Sequence, residues 1–355
     1  MPDSANTANE AAIAAKRIAF SEIPVVDIGP MFGTDRAGRV AVAKELRRCC
    51  SEVGFMYIKN HGVAEERMIR AREQMAAYFH RPLEYKLQHD IMHAQRHRGY
   101  VRYGGLYADV AAKPDHQEGF EVALELPEGD PDYLAGNVIY GPNIWPDDMS
   151  DFRRYIYAYY DEILSLGRVM FRAFALALDL DENWFEPLID KPMGQLRLLY
   201  YPPQDGPIDP QHIGIGAHSD YECFTILWQD GIGGLQVQNI AGEWIEATPV
   251  PGTFIINIGD MMARWTNGLF SSTPHRVINR TGKERYSMPF FYGANYNTVA
   301  RCIPSLLKPG EKPKFPPTKC GYWTETNNTA VYEYRRAFRE TGKVPKPELS
   351  EDSAA

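Results

Sequence analysis

The sequence has no long apolar run, no long basic block and no internal repeat. Its most apolar helical stretch is interrupted by Arg168 and Arg172, so we expect no membrane-spanning helix. A formal charge of −8 without a basic block argues against a nucleic-acid partner. Residues 1–20 contain no apolar core long enough for a signal peptide, so we expect a cytoplasmic protein.

Cysteine is also scarce, with five residues in 355 and neither a CxxC pair nor the spacing of a disulfide framework. The odd number favours reduced thiols in a cytoplasmic setting. What is present is ordinary for a globular protein, with 44% hydrophobic and 24% charged residues. A chain of this length can bury a sizeable core.

Hydrophobic periodicity divides the chain into a helical first part and a β-rich second part. Apolar residues spaced three or four apart predict a long helix from about 150 to 178. From Gln195 onward, short β-type runs are separated by turn residues, with no helix predicted between them. This pattern predicts an antiparallel sandwich or barrel with a helical N-terminal region packed around it, an α+β fold. The glycine-rich stretch 96–106 is predicted to be a loop.

Two His-x-acid triplets occur in the chain, and about one is expected by chance from nine histidines and 46 acidic residues. His116-Gln117-Glu118 lies in a predicted loop, where a surface hydrogen-bonding role is expected. His218 and Asp220 border predicted strands, where an extended backbone directs both side chains to the same face. A second imidazole would complete a facial triad of the kind that binds Fe(II), and His275 is the best candidate.

A carboxylate site is predicted by Arg285 and Ser287, which lie two residues apart on a predicted strand and therefore on one face. Arginine is a planar bidentate donor for a carboxylate, and a serine hydroxyl adds one hydrogen bond. Tyr201 is a third candidate if its strand faces the interior. The ordinary alternatives are a surface arginine in a charged turn and a packed tyrosine.

The order and spacing of these residues resemble the isopenicillin N synthase-like branch of the Fe(II)/2-oxoglutarate-dependent dioxygenases. The family pattern is His-x-Asp, roughly fifty residues, His, about ten residues, then Arg-x-Ser. Here His275 lies 55 residues after Asp220 and 10 before Arg285. Other segments that resemble family elements are Ile23-Pro24-Val25-Val26-Asp27, Gly54-Phe55, Asn60-His61-Gly62-Val63, Asn143-Ile144-Trp145-Pro146, Tyr200-Tyr201-Pro202-Pro203 and Gly233-Gly234-Leu235-Gln236-Val237.

The resemblance implies a double-stranded β-helix (jelly-roll) core over residues 191–300 and an N-terminal dioxygenase region with the long helix over residues 21–190. Residues 1–20 are expected to be a flexible tail, and residues 301–355 a C-terminal segment and tail. The implied cofactor is Fe(II) on the His-Asp-His set, with O₂ and with 2-oxoglutarate as co-substrate bound by Arg285, Ser287 and Tyr201. The expected reaction is hydroxylation, desaturation or cyclisation of a small organic substrate, with release of succinate and CO₂.

Two alternatives stay open. Isopenicillin N synthase itself uses an Arg-x-Ser on its substrate without 2-oxoglutarate, so an Fe(II) oxidase of the same fold that does not use 2-oxoglutarate is one alternative. A non-catalytic metal- or ligand-binding barrel is the other.

Candidates for the substrate pocket follow from strand parity. Phe291 shares parity with Arg285, and Phe224 shares parity with His218 if that strand stays regular. Leu199 should share a face with Tyr201, at a position where plant members of the family usually have asparagine. Arg102 and Tyr103 are candidates for a lid over the mouth of the site, and ordinary packing is the alternative for all five residues. The oligomeric state is not predicted.

Overall fold

The computed structural model describes residues 22–335 except 95, 109–112, 205–208 and 210–211, so both predicted tails lie outside the described residues. This part of the chain contains seven α-helices and fourteen β-strands. The helices are α1 (Arg36–Glu52), α2 (Glu65–Phe79), α3 (Leu83–Lys86), α4 (Pro131–Leu134), α5 (Ser150–Ala177), α6 (Asp260–Trp265) and α7 (Cys320–Val331). The strands are β1 (Val25–Asp27), β2 (Phe55–Lys59), β3 (Gly99–Val101), β4 (Glu118–Ala123), β5 (Pro192–Tyr201), β6 (Ile215–His218), β7 (Phe224–Gln229), β8 (Leu235–Gln238), β9 (Trp244–Glu246), β10 (Phe254–Ile258), β11 (His275–Val277), β12 (Arg285–Asn295), β13 (Val299–Ala300) and β14 (Thr318–Lys319).

Two β-sheets enclose the centre of the molecule. The larger has the order β1-β2-β10-β7-β12-β5-β4-β3 and the smaller the order β6-β11-β8-β9. Side chains from both sheets meet in one apolar cluster that includes Phe55, Leu199, Leu235 and Val277. Because each strand alternates its side chains between two faces, one face of each sheet is available for this shared interior.

The helical layer packs on the outer face of the larger sheet. The predicted apolar stripe of α5 is buried throughout, and its members are Phe152, Ile156, Tyr159, Ile163, Leu166, Met170 and Phe174. Burial of each large apolar side chain contributes about 1.5–3 kcal/mol. A β-carbon at Gly167 would lie 2.1 Å from the ring of Tyr292 on β12, so glycine is what permits the close approach of α5 to the sheet.

The larger sheet crosses the predicted boundary at residue 190, because β1 to β4 of the N-terminal region are four of its eight strands. Residues 21–190 are therefore not only a helical layer, and the segment boundaries stay predictions. The predicted loop 96–106 contains β3, which pairs with β4. Gly99 in β3 has a φ of +102°, and a β-carbon there would lie 2.4 Å from the carbonyl oxygen of His89. The β-rich part also contains α6, although no helix was predicted there.

None of the helices in the described part of the chain is long and apolar enough to cross a membrane. All five cysteines are free and buried, which agrees with the predicted reduced thiols.

Candidate active site

The three predicted metal ligands lie together between the two sheets. His218 ends β6 and pairs with His275, the first residue of β11, while Asp220 follows β6 directly. The candidate ligand atoms all lie within 4.8 Å of one another. Oδ1 of Asp220 is 3.7 Å from Nε2 of each histidine. Two imidazoles and one carboxylate that converge on one point form the donor set of a 2-His-1-carboxylate iron site.

Backbone carbonyls orient both histidine rings. Nδ1 of His218 lies 2.8 Å from the carbonyl oxygen of Gly216, and Nδ1 of His275 lies 3.2 Å from that of Thr273. A carbonyl oxygen only accepts, so each Nδ1 carries the proton and each Nε2 presents its lone pair to the shared point. Burial, and then the neighbouring His275, lower the pKa of His218 to about 4, which keeps the ring in the neutral form that binds metals.

Asp220 is oriented by two side chains that the sequence did not single out. Its Oδ2 accepts a 2.5 Å hydrogen bond from the Thr225 hydroxyl and a 2.6 Å hydrogen bond from the Asn257 amide. Burial opposes ionisation, but the two histidines and these hydrogen bonds hold the pKa of Asp220 below its usual value. Oδ1 is therefore the carboxylate oxygen left to face the histidines.

The three predicted carboxylate-binding residues also converge. Arg285 on β12 is paired with Tyr201 on β5, and its guanidinium lies 4.6 Å from the centre of the Tyr201 ring. Nη1 of Arg285 donates to Oγ of Ser287 at 3.2 Å, and the Tyr201 hydroxyl is 3.5 Å from the same Oγ. The parity argument that placed Arg285 and Ser287 on one face therefore agrees with the structure.

The hydrogen bonds of Arg285 within the described part of the chain do not use all of its guanidinium N–H groups. Nε donates to the carbonyl oxygen of Gly233 at 2.5 Å, and Nη2 donates to Gln229 at 3.0 Å. A guanidinium has five N–H groups, so these two bonds, the one to Ser287 and one to the Tyr201 hydroxyl leave at least one for a ligand. Arg285 is 1% exposed, and no carboxylate of the described residues forms an ion pair with it. A buried guanidinium without an ion-pair partner among the described residues is suited to a carboxylate.

Two cavities meet at the metal ligands. The Arg285 cavity encloses about 470 Å³ between the His-Asp-His set and Arg285, and its walls include the predicted Leu199 and Phe291. The Glu222 cavity encloses about 440 Å³, shares His218, Asp220 and Phe291 with the first, and contains Glu222. Both volumes include space that is open to solvent.

Phe224 does not line either cavity, so this prediction was wrong. The chain bends at residues 221–223 before β7 begins, which breaks the regular alternation from Asp220. Phe224 instead packs against Phe171, Phe174 and Tyr292 beneath the helices. The side chain of the next residue, Thr225, faces the site.

Arg102 and Tyr103 do not line the two cavities, and their role as a lid over the mouth of the site stays a prediction. Arg102 is drawn into an ion pair with the buried Asp90. The exposed Tyr103 hydroxyl lies 2.6 Å from Nδ1 of His116, which is the hydrogen-bonding role expected for that histidine. The same segment reaches the Glu222 cavity through Leu106.

An ion-paired arginine that sequence reasoning missed lies between the two cavities. Arg197 lines both, and its Nε donates to the carboxylate of Glu121 at 2.7 Å. Tyr332, which directly follows α7, bonds to Arg197 and donates to Glu121 at 2.6 Å. Arg197 could have been predicted to face the site, because it alternates with Leu199 and Tyr201 along the same strand and therefore shares their face. No local signal connects it with Glu121 or Tyr332, because those partners come from distant segments.

Glu222 is the second missed residue. It is 6% exposed and lines the Glu222 cavity. Burial, and then the nearby Asp220 carboxylate, raise the pKa of Glu222 to about 8. A hydrogen bond from its own backbone N–H and the nearby Arg197 oppose this rise but do not outweigh the cost of burying a charged carboxylate.

Comparison with known proteins connects this geometry with a family. The family model of the 2OG-Fe(II) oxygenase superfamily matches residues 192–294, and that of the non-haem dioxygenase in morphine synthesis N-terminal region matches residues 23–148. The 2-oxoglutarate-Fe(II) type oxidoreductase hxnY of Emericella nidulans is 34% identical over 93% of this chain and 97% of its own length. The chain belongs to the 2-oxoglutarate-Fe(II) oxygenase superfamily. The predicted family is thus confirmed.

Two further similarities extend along most of the oxygenase. Homoarginine-6-hydroxylase 2-ODD-C23 of Glycine max is 36% identical over 79% of this chain and 88% of its own length. The crystal structure of Neurospora crassa T7H in complex with alpha-KG and thymine matches with a TM-score of 0.76 and 27% identity, over 90% of this chain and 97% of that chain. The predicted α+β fold with a jelly-roll core is confirmed. The protein is an Fe(II)- and 2-oxoglutarate-dependent oxygenase of small organic substrates.

Proposed function

We propose that His218, Asp220 and His275 hold Fe(II) in this oxygenase, and that Arg285, Ser287 and Tyr201 bind the distal carboxylate of 2-oxoglutarate. The observation that carries the proposal is the buried guanidinium of Arg285, which lines the same cavity as the His-Asp-His set. Its remaining hydrogen-bonding capacity and its charge, which no described carboxylate pairs, suit a carboxylate. A dicarboxylate that reaches from the metal ligands to Arg285 satisfies both ends of this cavity.

The donor set fits Fe(II), because two neutral imidazoles and one carboxylate leave coordination positions for other ligands. Bound Fe(II) would activate O₂, which is the oxidant, while 2-oxoglutarate would be oxidised to succinate and CO₂ and supply two of the four electrons that O₂ accepts. The residues of the chain would bind and orient the metal and its ligands. Thr225 and Asn257 fix the Asp220 carboxylate, and apolar walls such as Leu199 and Leu235 limit the access of water.

Substrate binding is proposed for the Glu222 cavity, and hydroxylation is proposed as the reaction. This cavity adjoins the Arg285 cavity at His218, Asp220 and Phe291, which brings a bound molecule next to the metal ligands. The soybean relative is named as a hydroxylase of homoarginine. The alternative of an oxidase that does not use 2-oxoglutarate is not favoured, because the names of several relatives specify 2-oxoglutarate.

We also propose that the enzyme acts in the cytoplasm and has no nucleic-acid partner, on the basis of its free thiols and net charge of −8. The proposed division of the chain is 21–190, 191–300 and 301–355. The second segment contributes the proposed iron and 2-oxoglutarate ligands. The third contributes Asn328 and Val331 to the Glu222 cavity.

Anaerobic titration of the Fe(II) protein with 2-oxoglutarate tests these assignments. We expect a visible charge-transfer absorption band in the wild-type protein and its loss in His218→Ala, because one of three ligands is removed. His116→Ala is the matched control, since it alters the other His-x-acid triplet, and should keep the band. A full band in His218→Ala would reject the ligand assignment.

A further inference from the structure

The buried carboxylate of Asp115 connects two segments that are far apart in the sequence. Asp115 is 3% exposed and lies between β3 and β4. Its Oδ1 accepts a 2.9 Å hydrogen bond from the backbone N–H of Gly216. Its Oδ2 accepts a 3.0 Å hydrogen bond from the backbone N–H of Ala108. Because hydrogen bonds to an ionised carboxylate are stronger than those between neutral groups, this side chain can fix both backbone amides.

The Gly216 end of this connection leads to a proposed iron ligand. Gly216 lies on β6, which is at the edge of the smaller sheet and pairs with β11 in the described part of the chain. An edge strand has backbone N–H groups that no neighbouring strand accepts, and Asp115 accepts this one. The carbonyl oxygen of the same residue accepts the 2.8 Å hydrogen bond from Nδ1 of His218. Asp115 therefore acts on the residue that orients the His218 ring.

The Ala108 end leads to the wall of the Glu222 cavity, which Leu106 and Ala108 both line. Asp115 holds this wall segment a second time, because its own N–H donates to the carbonyl oxygen of Leu106 at 3.0 Å. On its other side, the N–H of Tyr107 donates to the carbonyl oxygen of Val331 on α7 at 3.0 Å. The wall segment is therefore attached by hydrogen bonds to Asp115 and to the C-terminal helix.

We propose that Asp115 is a positioning residue for the oxygenase reaction, which couples the wall of the Glu222 cavity to His218. The inference rests on the proposed function, in which His218 holds Fe(II) and the substrate occupies this cavity. A molecule that moves Ala108 acts on Gly216 through two hydrogen bonds to one carboxylate. The wall that a substrate contacts and the ring that binds the metal are thus set in position together.

Asp115→Asn tests the connection at its centre. Asparagine keeps the shape of the side chain and one acceptor oxygen, but its NH₂ group cannot accept from an N–H, so one backbone amide loses its acceptor. We expect the Kd of Fe(II) to rise about tenfold in a competition with a coloured chelator. The visible band formed with 2-oxoglutarate should also move to a different wavelength, because its energy depends on the other iron ligands.

Hydrogen exchange of the metal-free protein gives a measurement that does not depend on iron. The amides of Ala108 and Gly216 are followed by mass spectrometry with residue-level fragmentation. In Asp115→Asn at least one of these two amides should exchange about tenfold faster than in the wild-type protein, because its hydrogen bond is lost.

Ala108→lactic acid tests the coupling from the cavity side. Lactic acid has the side chain of alanine and an ester oxygen in place of the backbone N–H, so the donor to Oδ2 of Asp115 is removed and no side chain changes. We expect the Kd of Fe(II) to rise about threefold, although neither Asp115 nor a proposed iron ligand is altered. This variant also decides the question if Asp115→Asn does not fold.

Asp230→Asn is the matched control. The carboxylate of Asp230 also accepts from two backbone N–H groups, that of Ile232 at 3.0 Å and that of Tyr286 at 2.7 Å. Asp230 lines neither cavity, and neither of these amides belongs to a residue that orients a proposed iron ligand. This variant should therefore keep the wild-type Kd of Fe(II).

The inference is overturned if Ala108→lactic acid or folded Asp115→Asn binds Fe(II) with the wild-type Kd, or if Asp230→Asn weakens binding equally. If the wild-type protein forms the visible band and these variants keep its Fe(II) affinity, the proposed function stands and the role of Asp115 fails. If the wild-type protein binds no Fe(II) and forms no band, the proposed function fails, and the inference fails with it.

Discussion

Substitution of Arg285 by glutamine removes the buried positive charge at the end of the Arg285 cavity. In the native protein, three guanidinium N–H groups bond to Gly233, Gln229 and Ser287, and the positive charge has no carboxylate partner among the described residues. Loss of one partner from a buried, hydrogen-bonded charge pair costs about 2–5 kcal/mol. At about 1.4 kcal/mol per tenfold, the Kd of 2-oxoglutarate should rise between about 30-fold and about 4,000-fold.

The assay is anaerobic titration of the Fe(II) form of Arg285→Gln with 2-oxoglutarate, followed by visible absorption. Iron affinity should be unchanged, because Arg285 lies apart from the His-Asp-His set in the same cavity. Arg276→Gln is the control for loss of a cation from the smaller sheet. Arg276 lies 4.0 Å over the ring of Trp244 and lines neither cavity, so its removal should not alter the Kd. A native Kd in iron-loaded Arg285→Gln would refute the assignment.

Three further substitutions test the supporting structure. Asn257→Ala removes one of the two hydrogen-bond donors to Oδ2 of Asp220. We expect it to weaken Fe(II) binding about 10–100-fold, measured in a competition with a coloured chelator. An unchanged Fe(II) affinity would contradict this role of Asn257. Phe224→Ala should lower the free energy of unfolding by about 3–5 kcal/mol in urea, yet leave the Kd of 2-oxoglutarate unchanged, because Phe224 packs in the core. Tyr332→Phe should lower the free energy of unfolding by about 1–3 kcal/mol, because Arg197 and Glu121 each lose a buried hydrogen bond. An unfolding curve identical to that of the native protein would contradict this role of Tyr332.

The Arg197 network also connects the C-terminal segment with the Glu222 cavity. Tyr332 follows α7 and reaches the guanidinium on β5, while Asn328 and Val331 of α7 line the same cavity. The C-terminal segment is therefore part of the proposed substrate site and not only a covering of the sheet. Its position is set by hydrogen bonds to charged groups that are themselves buried, which favours one docked arrangement.

Features that depend on the backbone period alone were predictable from the sequence. The apolar stripe of α5 extends over the predicted range, because a helix repeats every 3.6 residues whatever it packs against. Along β12, the residues Arg285, Ser287 and Phe291 face the interior as predicted, because a strand alternates its side chains. The iron motif was recognisable for a different reason, since its residue types and their order along the chain resemble a family pattern.

The prediction of side-chain direction from strand alternation failed where the backbone is no longer a regular strand. The bend at residues 221–223 breaks the alternation that begins at His218, so Phe224 enters the core and Thr225 faces Asp220. The position of Thr225 follows instead from strand register, because it lies opposite Phe291 of β12. Register between strands far apart in sequence is a property of the assembled sheet.

What only the tertiary structure decided is the pairing of charges. The sequence by itself supplied Arg197, Glu121 and Glu222 as residue types, and parity within β5 was enough to direct Arg197 inward. It contained no local sign that Glu121 would neutralise that arginine, or that Glu222 would be buried beside Asp220 with a raised pKa. Ion pairs are short-range contacts between segments that meet only when the sheets and α7 are packed. The sequence thus determined the chemistry near the proposed iron site, and the fold determined which charged groups lie next to one another around it.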